Sequence, residues 1–429
     1  MKVLMFGWEF PPNITGGLGT ACYGITKGLL SVEKNMDITF VVPRACEGVQ
    51  NGNFRLRGAN DIDLIKSRIH PEKFHLPVHY HAVDSGLLPY VDPLEYKKLT
   101  NYKIERLEQI RKKQQLSEIQ FTGKYGPDLL TEVHNFSVIG EYLAKQENFN
   151  VIHAHDWLTY PAGIAAKNKT RKPLVIHVHA TEFDRSRGQG NAVVYQIEKD
   201  GMEQADLILT VSNRTRETVI NNYGIEPSKV ITVYNGVEPL GKQVLMQKFR
   251  KNLPDKIVTF LGRITLQKGP EYFVKLADEV IKNTKSVRFV MAGSGEMLYD
   301  MIKMVAEKSI SDRFHFAGFL KGNEVFKMFM LSDIYVMPSV SEPFGICPLE
   351  AMQCGTPTII SRQSGVSEVV SSAIKTDYWD IREMSDAVYN MLESPKFCKM
   401  LSKNGKKEVA RITWNKSARK IYQAYSTVA

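Results

Sequence analysis

The sequence predicts an α/β protein of two doubly wound domains, and three observations carry that reading. Short β-branched apolar runs alternate with segments of helical periodicity almost from end to end, the signature of βαβ units on parallel sheets. The eleven runs fall into two sets, parted by a polar stretch, Gly236–Lys256, whose Pro239 and Pro254 suit an interdomain linker. A chain of 429 residues also exceeds one ordinary domain of about 150 residues. One large sheet or a barrel would use the same strands, but neither accounts for the break.

The expected strands of the first set are Lys2–Gly7, Ile38–Val42, Val151–His155, Leu174–His179, Asp206–Ser212 and Lys229–Tyr234. Those of the second are Ile257–Gly262, Val287–Ala292, Arg313–Ala317, Asp333–Pro338 and Thr356–Ser361. Cys22, Ile25 and Leu29 mark a helix after the first strand, and Phe273, Leu276, Ala277 and Val280 mark one in the second set. Residues 44–135 break the alternation, and we expect an insertion, part loop and part exposed helix over Tyr96–Gln120. The chain closes on an apolar stripe, Trp414, Ala418, Ile421, Tyr422 and Tyr425, behind the capping candidate Thr413.

Composition excludes several classes. Apolar residues are 43% and charged residues 24%, which fits a globular chain rather than a coiled coil, collagen or disorder. The net charge of +10 suits an anionic ligand such as a nucleotide and does not require nucleic acid. No apolar run approaches the roughly 18 residues of a membrane span, and Met1–Trp8, cut short by Pro11 and Pro12, reads as a first strand rather than a leader. The five cysteines are scattered, as in a reduced cytoplasmic protein. Arg111-Lys112-Lys113 and Lys406-Lys407 read as solvated basic faces; the alternative is peripheral contact with an anionic membrane surface.

Candidate site residues gather where strands end, because ligands of open α/β sheets bind at the carboxyl edge. After the first strand, Gly16-Gly17-Leu18-Gly19 opens a helix. Paired glycines there serve either a tight turn or an anion at the helix N-terminus. Three His-x-His pairs occur, His79/His81, His153/His155 and His177/His179. We take His155 as a site residue, His153 as a core histidine, and His179 as less certain. Neither a cysteine cluster nor a His-Glu-x-x-His accompanies them, so we expect no metal. In the second set, Arg263 and Lys268 share a strand-end loop and could clamp a diphosphate. After Asp333–Pro338 come Glu342, the Phe344-Gly345-Ile346-Cys347 turn, Pro348 and Glu350. Pro348 suits a first helical turn, whose N–H groups would form a second anion site, and the carboxylates would accept sugar hydroxyls. Gly293-Ser294-Gly295 is a weaker phosphate-loop candidate, and Asp61-Ile62-Asp63 we take as chance.

Trp8-Glu9-Phe10-Pro11-Pro12 with Gly16-Gly17-Leu18-Gly19, His153-Ala154-His155-Asp156-Trp157, Arg263 with Lys268-Gly269, and Glu342-Pro343-Phe344-Gly345 with Glu350 together resemble the retaining GT-B glycosyltransferases of group 1, which include glycogen and starch synthases. The resemblance spans nearly the whole chain. It implies two Rossmann-like domains facing a cleft: an acceptor domain over residues 1–245, a nucleotide-sugar domain over 246–410, and a final helix, 411–429, crossing back to the first. It further implies that Arg263 and Lys268 neutralise the departing diphosphate, with N–H groups at Gly16, Gly17 and Phe344–Cys347. Glu350 would bind the ribose, Glu342 would stabilise the anomeric carbon of the transferred sugar, and His155 would bind that sugar. No metal or resident cofactor is implied. The donor would be UDP-glucose or ADP-glucose, and the acceptor an α-glucan. Starch-type synthases carry a lysine before the paired glycines where this chain has Ile14-Thr15, so a lipid-linked or cell-surface acceptor is the alternative. A non-catalytic sugar-binding relative and a nicotinamide oxidoreductase are the readings from other classes; the intact charged quartet opposes the first, and the missing Gly-x-Gly-x-x-Gly opposes the second. Oligomeric state is not legible.

Overall fold

The computed structural model describes residues 1–14, 16–45, 50–61, 121, 123, 125–126, 129–186, 190–241 and 254–429. Two compact units emerge. The first comprises Met1–Phe183, Gly188–Gly236 and Trp414–Ala429; the second comprises Asp184–Arg187 and Val237–Thr413. Among the described residues, no helix is long and apolar enough to cross a membrane.

In the first unit, β1 (Lys2–Phe6), β2 (Asp37–Val42), β3 (Gln50–Asn51), β4 (Phe54–Gly58), β5 (Val151–His155), β6 (Leu174–Val178), β7 (Leu207–Thr210) and β8 (Val230–Thr232) form one sheet. Their order is β3-β4-β2-β1-β5-β6-β7-β8, parallel except for the β3–β4 pair. β5 and β6 are buried at every position, as strands covered by helices on both faces must be. The order reverses direction between β1 and β5, so the crevice for a ligand lies at their carboxyl ends.

The expected insertion over 44–135 needs correction at both ends. β4 lies inside it and adds to the sheet beside β2, while the helix Leu129–Gln146 begins before its end. Phe54 and Leu56 turn into the core, and Arg55 and Arg57 face outward, where Arg57 pairs with Glu147 at 2.6 Å and Arg55 with Asp37 at 3.2 Å. The charged outer face of this strand hid its period of two. Tyr96–Gln120, His79/His81, and Ile62 and Asp63 lie outside the described residues.

The final helix, Trp414–Ser426, belongs to the first unit and packs on the helix Gly17–Val32. Trp414 is 4% exposed, and a Cβ placed on Gly24 would fall 2.2 Å from its ring. The absence of a side chain at Gly24 is therefore what admits the indole. Trp414→Ala should destabilise this unit by about 3–5 kcal/mol, read as a lower denaturant midpoint at unchanged slope. Loss of less than about 1 kcal/mol would show that the two helices do not depend on each other.

In the second unit, β9 (Lys256–Leu261), β10 (Val287–Ala292), β11 (Phe314–Gly318), β12 (Ile334–Met337), β13 (Thr358–Ser361) and β14 (Ile374–Thr376) form an all-parallel sheet. The order β11-β10-β9-β12-β13-β14 is the 3-2-1-4-5-6 arrangement of Rossmann sheets, and it places the switch point between β9 and β12. Phe260, Phe273, Phe289 and Met291 pack its interior. Here the helix Pro270–Asn283 buries Phe273, Leu276, Ala277 and Val280, the face its spacing predicts.

Candidate active site

The switch point of the second unit collects the charged residues singled out in the sequence. β9 runs out into Gly262 and Arg263, and a short 3-10 turn, Leu266–Lys268, follows. β12 runs out into the loop that bears Glu342. The two loops are stitched together, since the Gln267 carbonyl accepts from Val340 N–H at 2.9 Å. This contact brings Lys268 onto Glu342, and the ammonium donates to Glu342 Oε2. Ser339 Oγ donates to the same oxygen at 3.3 Å. The Glu342 side chain is 7% exposed and that of Lys268 20%, so the pair is shielded from water and screened little by salt.

Glu342 is held from behind by the segment after β13. Its N–H donates to the Gln363 carbonyl at 3.0 Å, and its carbonyl accepts from Gly365 N–H at 2.9 Å. Val366 N–H donates to the Phe344 carbonyl at 2.7 Å, which fixes the turn into the helix Cys347–Cys354. Phe344 is buried; Gly345, Ile346 and Cys347 are half-buried and lead into the first helical turn, where N–H groups lack intrahelical acceptors. Glu350 lies in that first turn. Burial lifts its carboxyl to about 7, tempered by a hydrogen bond with Cys347. Burial also pushes the Cys347 thiol up to about 12, with Glu350 adding to the effect. Tyr335, fully buried beneath, is raised by burial and then by Cys347, Glu342 and Glu350, and it anchors its hydroxyl on the Leu261 carbonyl at 3.2 Å.

Arg263 donates to Gln267 Oε1 at 3.3 Å. It also lies close enough to Glu296 to lower that carboxyl, against a larger rise from burial. Glu296, Gln267 and Ser339 were not singled out in the sequence. The signal for Glu296 was its place one residue past Gly293-Ser294-Gly295, at the end of β10.

The remaining expected residues belong to the first unit. Gly16 has an extended backbone, and a Cβ on Gly16 or Gly17 would meet only open space. Neither residue needs to be glycine for packing, so the turn alone does not explain the pair. His155 lies at the carboxyl end of its strand, where the sequence places it, but its side chain is buried there. It ends β5 with 0% exposure, stacked on Phe40 at a centroid distance of 5.9 Å and bonded through Nδ1 to His179 Nε2 at 3.1 Å. It therefore offers no surface to a sugar in this conformation. His153 is a core histidine, as read, with Nδ1 2.5 Å from the Tyr425 hydroxyl. Burial lowers His153, His155 and His177, and also His179 just past β6, the last to about 3.

Two cations, a helix N-terminus and two carboxylates around one switch point can hold an anion next to a polyol. Comparison with known proteins fits that reading. The family model for group 1 glycosyl transferases matches residues 241–408, and that for glycosyltransferase family 4 matches residues 125–239. An uncharacterized glycosyltransferase of Methanocaldococcus jannaschii is 26% identical, covering 99% of this chain and 98% of its own. The glycogen synthase of Mycobacterium tuberculosis is 22% identical, covering 92% of this chain and 87% of its own. The sucrose-phosphate synthase of Thermosynechococcus elongatus superposes with a TM-score of 0.72 at 17% identity, over 99% of this chain and 98% of its own. With two Rossmann-like units of this topology, matched in turn by the two models, the chain belongs to the group 1 glycosyltransferases of the GT-B fold.

Proposed function

We propose that this glycosyltransferase moves glucose, with retention of anomeric configuration, from a nucleoside-diphosphate glucose to an α-glucan, with no metal at the diphosphate. The observation that supports this best is the shielded Lys268–Glu342 pair at the β9/β12 switch point, beside Arg263 and the helix at Cys347. The diphosphate would take Lys268 and Arg263 as counter-charges together with the first-turn N–H groups of Gly345, Ile346 and Cys347, the preorganised cations doing what a metal ion does elsewhere. Drawing Lys268 onto phosphate loosens its hold on Glu342 and leaves that carboxylate to stabilise positive charge at the anomeric carbon. The bond from that carbon to diphosphate breaks, a bond to the acceptor oxygen forms on the same face, and the acceptor proton passes to the departing diphosphate. Glu350 would accept the ribose hydroxyls. His155, wholly buried, takes no part in sugar contact in this scheme. The glycogen synthase relative supports the α-glucan acceptor.

The test is transfer and hydrolysis with UDP-glucose and ADP-glucose, each with and without glycogen. Chain elongation is the expected result; transfer only in the presence of membrane extract would move the acceptor to a lipid-linked glycan.

A pH dependence follows from Glu350. With its carboxyl lifted to about 7, the group is ionised above that pH and protonated below it, where it loses acceptor capacity. Donor KM should therefore rise roughly tenfold between about pH 8 and pH 6, and Glu350→Gln should flatten the profile. An identical slope in the variant would remove Glu350 from donor binding.

A further inference from the structure

The helix Pro395–Val409 of the second unit turns a basic face to solvent that its own packing does not account for, and this holds independently of the transferase reading. Phe397, Cys398 and Leu401 pack against the core, and Gly405 and Val409 are buried, so one side of the helix is fixed inward. Lys396, Lys399, Met400, Lys403 and Lys407 are exposed. At 3.6 residues per turn they fall on the opposite side, within an arc of about 100°. Met400 is 48% exposed. Among the described residues, none of these four lysines has an ion-pair partner. Glu408, the one acid in the helix, instead accepts from Ser371 at 2.7 Å and from Ser372 at 2.8 Å.

Local physics works against this arrangement. Lys396 lies in the first helical turn, where the macrodipole disfavours a cation, and no acid in that turn offsets it. Lys399, Lys403 and Lys407 follow one another at spacings of four, where like charges repel. A helix that is merely solvated interleaves acids with its lysines, as the helix Pro270–Asn283 does with Asp278 and Lys282 at 3.4 Å. The sequence reads Lys406-Lys407 as one solvated pair, and the helix divides it. A Cβ on Gly355 would fall 2.5 Å from Lys406 Cε, so Lys406 lies against the carboxyl end of the helix Cys347–Cys354, where a cation is favoured. Lys407 joins the outer face. Four ammonium groups with no guanidinium among them suit a diffuse anionic surface better than the bidentate phosphate contacts of nucleic acid. An exposed thioether among them suits the apolar layer just beneath lipid headgroups.

We propose that this face docks on an anionic lipid bilayer, with the four lysines among the headgroups and Met400 at the acyl boundary. The test is co-sedimentation of the full chain with vesicles of phosphatidylcholine alone and of phosphatidylcholine with phosphatidylglycerol. Binding is expected to the second only, and it should weaken as salt rises. Each lysine at such a surface contributes roughly fivefold in affinity. Lys396→Gln/Lys399→Gln/Lys403→Gln/Lys407→Gln should therefore weaken binding at least about a hundredfold. Lys275→Gln/Lys282→Gln/Lys285→Gln/Lys303→Gln removes as much charge from exposed positions of the same unit and should weaken it less than about threefold. Met400→Ser should weaken it about threefold or more. Equal losses in the two quadruple variants, full binding by the first, or no binding by the parent would overturn the docking face. So would duplex DNA bound as tightly as the anionic vesicles and lost in the same variant, which would make the face a nucleic-acid site. Should the first variant not fold, amine labelling of the parent decides: anionic vesicles should protect Lys396, Lys399, Lys403 and Lys407 but not Lys303, and unchanged labelling refutes the proposal.

Discussion

Lys268→Ala is expected to lower kcat by about 10²–10³-fold, the range for loss of one preorganised group that meets developing negative charge. The argument rests on where Lys268 sits: its ammonium is on Glu342, one side chain 20% exposed and the other 7%. Removing only the lysine strands a carboxylate in a dry pocket with Ser339 as its remaining side-chain donor, which costs up to about 3–5 kcal/mol of stability for a buried pair. Activity and stability would then fall together, and the first could be mistaken for the second. The series Lys268→Met, Glu342→Gln and Lys268→Met/Glu342→Gln separates them. Stability should recover in the double variant, since no unpaired charge is left behind, whereas turnover should not. Denaturant midpoints and steady-state kinetics with UDP-glucose and ADP-glucose on glycogen supply both readouts. Wild-type turnover in Lys268→Ala, or turnover restored in the double variant, would show that the pair is only structural.

The sequence was informative wherever burial and local pattern agree. Val151–His155 and Leu174–Val178 are read directly because a parallel strand covered on both faces has to be apolar throughout. Phe54–Gly58 was missed because its alternate arginines face Asp37 and Glu147 at the sheet edge, so charge masked the inward Phe54 and Leu56. Leu129–Gln146 was legible in principle: Leu129, Val133, Phe136, Gly140 and Leu143 keep one buried face, but the helix straddles the border of a charged segment. Ile374–Thr376 is three residues long, too short for any period to register. At the site, Arg263, Lys268, Glu342 and Glu350 could be picked out because each follows a recognisable strand. Their pairing could not. Lys268 and Glu342 are 74 residues apart, and only the strand order, with β9 beside β12, makes them neighbours. The same holds for His155 and His177, joined by register, and for the burial of His155, which depends on what covers the β5 end. Glu296 beside Arg263 likewise needs β10 next to β9.

That last adjacency sets the second large effect, expected for Gly293→Ala. The loops after β9 and β10 are zipped backbone to backbone. Gly262 N–H donates to the Ala292 carbonyl at 3.0 Å, Ile264 N–H to the Ser294 carbonyl at 2.8 Å, and Met297 N–H to the Ile264 carbonyl at 3.1 Å. Arg263 rides on the middle of this zipper. A Cβ on Gly293 would lie 1.8 Å from the Gly262 carbonyl oxygen, and φ there is +144°. The obstacle is backbone, so no rotamer change relieves it, and strain adds to overlap. The weak phosphate-loop signal of Gly293-Ser294-Gly295 thus has a cause that involves no ligand: the close approach of two chains. Gly293→Ala should cost about 3 kcal/mol or more. Displacing Gly262 also displaces Arg263, so donor KM should rise at least about tenfold even where the protein remains folded. Gly318 is the control: its φ is +72°, but nothing lies within 4 Å of a Cβ there. Gly318→Ala should lose only the roughly 1–2 kcal/mol of left-handed strain and leave donor KM alone. Equal stability losses in the two variants would mean that the zipper yields without cost; a lost zipper with unchanged KM would mean that Arg263 does not meet the donor.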